Sequence, residues 1–256
     1  MSRNTQFETV PEDLPKDLSE DLPRDLPRNS FEKQPGRLVV FEGVEGSGKT
    51  TQIKAVHTWL METHWLNNRQ ESPLFSQCVA TREPGGTGLG QQLRQLLLHP
   101  ASDEPLQDRT ELLLYAADRA QHVAGMLKPL LAQGALILCD RYTDSTIAYQ
   151  GYGRQLDRPL IDQLNQIATG GLQSDLTLWL DLDVELGLAR AQRRGSRDRI
   201  EQATIEFHHR VQQGFTDLAK TFPARIVRID ASQPSEQVTQ QIQTVLIDRL
   251  GKWAKE

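Results

Sequence analysis

A glycine-rich stretch at residues 43–50 contains the residue types that most directly suggest chemistry. It matches the phosphate-binding pattern G-x-x-x-x-G-K-[ST] at every fixed position. An apolar run typical of a buried strand precedes it, and apolar residues at helical spacing follow it. Backbone N–H groups, a helix N-terminus and Lys49 would hold phosphates, and the Thr50 hydroxyl would face Mg²⁺. The predicted nucleoside triphosphate site comprises Gly43, Val44, Glu45, Gly46, Ser47, Gly48, Lys49, Thr50 and Thr51.

A second polar group follows another apolar run, at 135–139, and consists of Asp140 and Arg141. A carboxylate at the C-terminal end of a buried strand, in a phosphate-loop protein, is placed to hold the water shell of Mg²⁺. Aspartate also ends strands for capping reasons, so Asp140 alone is a moderate signal. A guanidinium at the same sheet edge faces the ligand crevice and binds phosphate bidentately, which favours a functional role for the pair.

Two further segments are rich in turn residues or arginine. Residues 81–87 read Thr-Arg-Glu-Pro-Gly-Gly-Thr; a tight turn would explain Pro84 and Gly85 but not Arg82 or Glu83. Residues 190–199 contain five arginines, which in most proteins would be a solvated surface. In a protein that binds a polyphosphate, an arginine-rich segment of this kind is a candidate for a closing lid.

Short β-branched runs alternate with helical stretches from residue 37 onward. Strands are predicted at 38–42, 78–81, 135–139, 176–181 and 225–229, the last helix near 238–253, and a surface connection at 64–77. Strands separated by helices imply right-handed crossovers. The predicted fold is α/β, a three-layer phosphate-loop NTPase type with about five parallel strands, helices on both faces and a mobile lid. No boundary divides residues 36–256, so one domain is expected there.

Composition restricts the class of protein further. With 38% hydrophobic residues and no apolar run near ~20 residues, a membrane partner is not expected. The net charge of −5 argues against a dedicated nucleic-acid partner. Cys78 and Cys139 lie in apolar runs and are predicted to be core residues, which fits a cytoplasmic protein. Residues 1–35 repeat Asp-Leu-Pro and are predicted to form a disordered tail without a signal or transit peptide.

Taken together, the motifs resemble those of bacterial thymidylate kinases, the dTMP kinases of the phosphate-loop nucleoside monophosphate kinase family. The similarity extends from about residue 37 to the C-terminus. The segments that resemble the family are FEGVEGSGKTT at 41–51, TREPGGT at 81–87, YAADR at 115–119, DRY at 140–142, STIAYQGYGR at 145–154 and DRIE at 198–201.

This resemblance implies transfer of the γ-phosphoryl group of Mg-ATP to dTMP, giving dTDP for dTTP biosynthesis. By similarity, Lys49 and the loop amides hold ATP, while Thr50 and Asp140 organise Mg²⁺. Glu45 would face the nucleotide sugar or the metal shell, although an exposed loop carboxylate is a serious alternative. The resemblance also implies a homodimer.

The acceptor site is implied by the same resemblance. Tyr115, a position where the family more often has phenylalanine, would stack on thymine, and Arg119 would bond the ring. A core role for Tyr115 is the alternative, but Arg119 lies four residues later on the same helical face. The expected dTMP-binding residues are Arg82, Glu83, Arg94, Tyr115, Arg119, Arg141, Thr146, Tyr149 and Gln150.

The phosphate loop and the arginine-rich segment are related in this family. Some members have an arginine where this chain has Gly46, whereas bacterial-type members supply the catalytic arginine from the lid. This chain resembles the second kind, so Arg193 or Arg194 is expected to stabilise charge on the transferring phosphoryl group, alongside Lys49 and Arg141. Spacing does not choose between Arg193 and Arg194.

Other functions fit parts of the pattern. A different nucleoside monophosphate or deoxynucleoside kinase would use the same scaffold, and a non-catalytic homologue would bind nucleotide without turnover. A GTPase switch would need Asn-Lys-x-Asp, and a transporter-type ATPase would need Leu-Ser-Gly-Gly-Gln; neither peptide occurs.

Overall fold

Five parallel strands form the central sheet of the computed structural model, which describes residues 35–63, 74–99, 104–193, 195 and 198–256. The strands are β1 (Arg37–Glu42), β2 (Cys78–Arg82), β3 (Leu136–Asp140), β4 (Leu176–Asp181) and β5 (Ile226–Asp230). Their order across the sheet is β2-β3-β1-β4-β5. The predicted strands are thus confirmed, with ends that differ by at most one residue.

Helices follow or separate these strands. They are α1 (Lys49–Glu62), α2 (Gly88–Leu98), α3 (Asp108–His122), α4 (Lys128–Ala132), α5 (Thr143–Thr146), α6 (Arg158–Thr169), α7 (Val184–Gln192), α8 (Ile205–Thr221) and α9 (Ser235–Trp253). Two π-helical segments, Val123–Leu127 and Ile147–Gly153, continue α3 and α5.

Apolar side chains cover both faces of the sheet, which is why its strands read as continuous apolar runs. Successive side chains of a strand point to opposite faces. In β1, Val39 and Phe41 pack in the core that includes α1, α8 and α9. Leu38 and Val40 pack on the other face, with Val123 and Leu127 of the π-helical segment. The predicted three-layer α/β architecture is therefore confirmed.

The sheet order explains how distant motifs meet. Parallel strands place all their carboxyl ends at one edge, and β3 lies between β1 and β2. Asp140 is in register with both Phe41 of β1 and Arg82 of β2. The glycine-rich loop after β1, the Asp140–Arg141 pair and the segment after β2 consequently share this edge.

Part of one sequence-based prediction is wrong. The connection at 64–77 was expected at the surface, but Phe75 is buried and packs edge-on against Trp253 of α9, with ring centroids 6.4 Å apart. Without a helical or strand period around it, Phe75 gave no pattern to recognise. Residues 64–73, and residues 1–34 of the tail predicted at 1–35, lie outside the described residues.

Two further observations concern composition. Cys78 and Cys139 are buried free thiols, as the apolar runs predicted. No helix within the described ranges has both the length and the hydropathy needed to cross a membrane.

Candidate active site

The glycine-rich loop curls around the side chain of Lys49. The Lys49 ammonium is buried and donates to the carbonyl oxygens of Gly43 (2.9 Å) and Val44 (3.0 Å). Burial, together with the charge of Arg141, lowers the pKa of Lys49 to about 8, although neighbouring carboxylates oppose the shift. A phosphate arriving in the loop would restore the preference for the charged ammonium by adding negative charge beside it.

Gly46 allows the loop to lie directly against α7. Its φ angle is +71°, a left-handed conformation that side chains disfavour. A Cβ atom on Gly46 would lie 2.0 Å from the carbonyl oxygen of Gly187, and a Cβ on Gly187 would lie 2.4 Å from that of Glu45. No side chain fits at Gly46, so an arginine at this position of the loop is incompatible with the observed packing.

Thr50 and Asp140 bring two oxygen ligands together beside the loop. The Thr50 hydroxyl donates to Asp140 Oδ2 at 3.3 Å. The other carboxylate oxygen, Asp140 Oδ1, is buried and has no hydrogen-bond partner among the described residues. Those residues contain no cluster of three His, Cys, Asp or Glu side chains suited to a metal. A free carboxylate oxygen beside a hydroxyl fits Mg²⁺, which binds through one or two protein oxygens plus water and phosphate.

Arg141 lies at the centre of the site in a conformation that is unusual for a residue other than glycine. Its φ angle is +70°. The guanidinium donates to Ser145 Oγ (3.1 Å) and to Glu45 Oε1 (3.0 Å), and it lies 4.7 Å from the ring centroid of Tyr149. Backbone conformations of this strained kind cluster at functional sites, where surrounding contacts hold them.

Glu45 is buried rather than exposed, so the alternative of an exposed loop carboxylate is wrong. Its side chain is 9% exposed, and Oε1 accepts from Arg141 and from the Tyr149 hydroxyl at 2.7 Å. Burial acts to raise the pKa of Glu45, but His208, the charges of Arg141 and Lys49, and Tyr149 outweigh it and lower the pKa to about 2. Glu45 is therefore an ionised, buried carboxylate.

Arg119 is buried at the far end of the site and is held by its neighbours. Nε donates to Glu83 Oε2 (2.7 Å), and Nη1 donates to Thr146 Oγ1 (2.7 Å) and Asn165 Oδ1 (2.9 Å). Nη2 donates to the Tyr142 carbonyl at 2.9 Å. These four bonds use four of the five guanidinium N–H groups. Arg119 is therefore rigidly oriented, and one N–H is left to bond a ligand.

Glu83 orients Arg119 and uses both carboxylate oxygens within the protein. Oε2 accepts from Arg119, and Oε1 lies 2.8 Å from Nδ1 of His122. The other ring nitrogen of His122 lies 2.8 Å from the Thr81 hydroxyl. Although Glu83 borders the cavity, this geometry gives it a positioning role toward Arg119.

One cavity of about 230 Å³ joins the loop to Arg119. Tyr115 borders it from α3, and Arg94 reaches it from α2 while donating to the Pro84 carbonyl at 3.0 Å. Gln150 borders it and donates to Glu111 at 2.7 Å. The predicted site residues that line this cavity are Glu45, Gly46, Gly48, Lys49, Thr50, Thr51, Arg82, Glu83, Arg94, Tyr115, Arg119, Asp140, Arg141, Thr146, Tyr149 and Gln150.

The remaining predicted residues lie elsewhere. Gly43, Val44 and Ser47 belong to the loop but do not border the cavity, and the Val44 side chain packs in the core. Arg193 follows the last residue of α7, is exposed and does not line the cavity. Arg194 lies outside the described residues.

Glu42 is a buried residue of the site that sequence reasoning missed. At the end of β1 it accepts from the backbone N–H groups of Tyr142 (2.8 Å) and Ser145 (3.1 Å), and from the Ser145 hydroxyl (2.6 Å). It therefore holds the chain that follows Asp140 and Arg141. Its place as a charged residue at the end of an apolar strand, directly before the glycine-rich loop, was the signal for it.

Glu111 and Asp118, both on α3, were missed as well. Glu111 is fully buried and accepts from Gln150 and Arg154, and its Oε2 lies 2.5 Å from Arg199 Nη2. Asp118 accepts from the Gly85 N–H at 3.0 Å, while its Oδ2 is buried without a partner among the described residues. Burial raises the pKa of Asp118 to about 6, helped by the nearby Glu83 and opposed by the bond from Gly85. Both lie on the helical face of Tyr115, which is the signal that could have identified them.

Comparison with known proteins decides the family. The profile of the family described as thymidylate kinase matches residues 41–242. The chain belongs to the thymidylate kinase family. The prediction of an enzyme that phosphorylates dTMP is thereby confirmed at the level of the family.

Individual members of the thymidylate kinase family agree with this assignment. The thymidylate kinase of a Cyanothece species is 59% identical over 225 residues, which cover 85% of this chain and 96% of the relative. That of Trichodesmium erythraeum is 59% identical over 223 residues, 85% of this chain and 98% of the relative. The crystal structure of thymidylate kinase from Ehrlichia chaffeensis has a TM-score of 0.65 and 35% identity, covering 83% of this chain and all of that one.

Proposed function

We propose that this chain binds Mg-ATP at the loop 43–51 and dTMP in the adjoining cavity, and transfers the γ-phosphoryl group to form dTDP. The observation that carries this proposal is the position of Arg141. Its guanidinium faces the same cavity as Lys49 and lies between the phosphate loop and the pocket that ends at Arg119. This arrangement gives each of two phosphate groups its own cation.

The reaction needs positive charge more than it needs a base. The acceptor is a phosphate that is already largely ionised near neutral pH, so no group has to remove a proton from it. Two anions must instead approach in line, and fixed cations reduce their repulsion. Lys49 would hold the ATP phosphates, while Arg141 and Arg94 would hold the dTMP phosphate.

Magnesium would be held at Thr50 and Asp140. The unpaired Asp140 Oδ1 and the adjacent Thr50 hydroxyl would supply two oxygen ligands. Asp140 would hold the ion either directly or through a bound water. When bound, the ion would neutralise charge on the β- and γ-phosphates of ATP. Asp140 and Thr50 also fix the position of the donor phosphates relative to Lys49.

The thymine base would lie between Tyr115 and the remaining N–H of Arg119. Tyr115 supplies an aromatic face, and a stacked ring contributes on the order of 1 kcal/mol beyond the area it buries. Thr146 and Gln150 would border the base and sugar, with Tyr149 against the deoxyribose. Arg82 borders the same cavity from the end of β2 and adds positive charge.

The arginine-rich segment after α7 would complete the site. We keep Arg193 and Arg194 as the candidates for the residue that stabilises charge on the transferring phosphoryl group. The packing of Gly46 on Gly187 supports a contribution from this segment, because the loop itself has no room for an arginine.

Assembly and location are also part of the proposal. The kinase domain would span residues 36–256, with 1–35 as a disordered tail, and would act in the cytoplasm, where free thiols such as Cys78 and Cys139 persist. A homodimer is supported by apolar side chains exposed on three helices, namely Leu89 and Leu96 on α2, Leu113 on α3 and Ile167 on α6. Light scattering of the purified chain, beside an Ile167→Asp variant, would test it.

The acceptor is tested by measuring ADP release with Mg-ATP and a panel of dTMP, dUMP, UMP, CMP and AMP. Strong turnover with dTMP, shared weakly by dUMP, is the expected result. Preference for another nucleotide would keep the phosphoryl-transfer chemistry and contradict the thymine pocket. ATP binding without turnover on any acceptor would point to a binding protein.

A further inference from the structure

His208 lies beneath the phosphate loop on α8, outside the motifs that mark the family. Its side chain is 1% exposed, and Nδ1 lies 3.5 Å from Glu45 Oε2. The ring packs edge-on against Phe207, with centroids 5.3 Å apart. Among the described residues, neither ring nitrogen of His208 has a hydrogen-bond partner, and Oε2 of Glu45 has none either.

Two unsatisfied buried polar groups that face each other are a costly arrangement unless they pair. A buried acceptor without a donor is destabilised by about 1–3 kcal/mol, and more when it is charged. At 3.5 Å the His208–Glu45 contact is longer than a full hydrogen bond but within ion-pair distance. A small approach of the ring or the carboxylate would pair Nδ1 of His208 with Oε2 of Glu45.

Nucleotide binding would make the His208–Glu45 contact more important, because Glu45 would lose another of its donors. Lys49 now donates to loop carbonyls, and Arg141 donates to Glu45 Oε1. Phosphates in the site would engage Lys49 and draw Arg141 away from Glu45. The ionised carboxylate would then keep the Tyr149 hydroxyl and His208 as its neighbouring donors.

We propose that His208 is a positioning residue that acts through Glu45, holding the second carboxylate oxygen when phosphates engage Lys49 and Arg141. This inference rests on the roles proposed above for those two cations. The donor would be the N–H at Nδ1, so the neutral ring suffices and no change of charge is required. Glu45 would thereby stay directed toward the cavity throughout turnover.

The helix that bears His208 also packs against Tyr149, whose hydroxyl donates to Glu45. Phe207 and Phe215 of α8 both pack edge-on against the Tyr149 ring, each with centroids 6.2 Å away. α8 begins at Ile205, shortly after the arginine-rich segment. α8 is thus linked to Glu45 in two ways, directly through His208 and indirectly through Tyr149, which packs on α8.

Substitutions at His208 separate hydrogen bonding from packing. His208→Phe keeps an aromatic ring but removes the donor, and His208→Asn places an amide N–H near the position of Nδ1. We expect H208F to lower kcat/KM for dTMP by about 10-fold, as for a lost bond to a charged group, and H208N to restore most of it. His209→Phe, at the exposed neighbour, is the matched control and is expected to behave as wild type.

A double-mutant cycle with Glu45→Gln distinguishes positioning from a general loss of structure. In the E45Q background, H208F should have no further effect, because both changes break the same contact. Additive effects, no effect of H208F, or no recovery in H208N would overturn the proposal. Thermal unfolding is measured for each variant to confirm that it is folded, and His208→Leu replaces H208F if the latter does not fold.

The four proteins of the cycle, namely wild type, H208F, E45Q and the double variant, test the role of His208 even if the acceptor assignment fails. The affinity for Mg-ATP, measured by calorimetry, depends on the loop that contains Glu45 and needs no acceptor. Coupling between His208 and Glu45 in this affinity, without dTMP turnover in the wild type, would refute the proposed acceptor and retain the role of His208. Turnover of dTMP in the wild type without any such coupling would retain the proposed acceptor and refute the role of His208.

Discussion

Arg141 Nη2 lies 3.0 Å from Glu45 Oε1, although the two residues are 96 positions apart in the chain. The contact joins the loop that would bind the ATP phosphates to the guanidinium that would bind the acceptor phosphate. Parallel strands β1 and β3 are adjacent, so the loop after one meets the residue after the other. The central claim is that this pair prepares the site for two phosphate groups at once.

Asp140→Asn tests the magnesium site. The amide keeps the shape of the side chain but removes its charge, so we expect the Mg²⁺ concentration that gives half-maximal turnover to rise by about 10-fold or more. Turnover titrated with Mg²⁺ at fixed ATP measures this. Asp181→Asn, at the end of β4 and paired with Arg228, is a matched control. An unchanged Mg²⁺ requirement in D140N would exclude Asp140 as a ligand.

Gly46→Ala tests the packing of the loop on α7. The added Cβ meets the Gly187 carbonyl oxygen, 2.0 Å away, at a φ angle of +71°. We expect the free energy of unfolding to fall by at least about 2 kcal/mol, with weaker ATP binding. Gly251→Ala, on α9 with no atom within 4 Å, should instead be neutral or stabilising. Urea denaturation compares the two, and equal stabilities would contradict the geometry.

The sequence predicted much of this architecture because its signals are local. Each strand is a short apolar run, and the phosphate loop has a fixed spacing of glycine and lysine. The burial of Glu45 was not predictable in the same way, because it depends on Arg141, Tyr149 and His208 from two distant parts of the chain. Phe75 likewise became a core residue through contact with a helix near the C-terminus.

Positioning residues were the least predictable part of the site. Glu83 was expected to bind substrate, yet its oxygens face Arg119 and His122. Glu111 belongs to none of the motifs, and Glu42 lies at the edge of one without a role that its spacing predicts. Their roles follow from which backbone and side-chain donors the fold brings to them, and a linear sequence does not display that information.

Asp118→Asn tests a pH dependence of stability. The pKa of Asp118 rises from an ordinary 3.8 to about 6 in the folded protein. The folded state therefore binds more protons than the unfolded chain between these values, and the free energy of unfolding falls as pH rises through them. Well above pH 6 this loss of stability is on the order of 3 kcal/mol. We expect D118N to gain stability relative to wild type between pH 5 and pH 8.

Urea denaturation at several pH values measures that gain. The Asn carbonyl can still accept from the Gly85 N–H, so the comparison isolates the charge. Asp248→Asn, an exposed carboxylate on α9, should show no such trend. A stability difference between D118N and wild type that is the same at pH 5 and pH 8 would show that Asp118 does not titrate in this range.

Alanine substitutions in the arginine-rich segment test the source of the catalytic cation. We expect either Arg193→Ala or Arg194→Ala to lower kcat by about 10³-fold, because an arginine that stabilises the transferring group contributes that much in related chemistry. Arg190→Ala, whose guanidinium donates to the Ala231 carbonyl, is the control. Steady-state kinetics on the three variants decides the matter; normal turnover in both R193A and R194A would remove the segment from the mechanism.

The most direct test of the central claim compares dTMP with thymidine as the acceptor, with product identified by chromatography. Arg141 would recognise the acceptor phosphate, so we expect kcat/KM for dTMP to exceed that for thymidine by roughly 10³-fold or more. Arg141→Met should lower the activity on dTMP far more than the weak activity on thymidine. Comparable formation of dTDP from dTMP and of dTMP from thymidine, insensitive to Arg141, would contradict a site prepared for two phosphate groups.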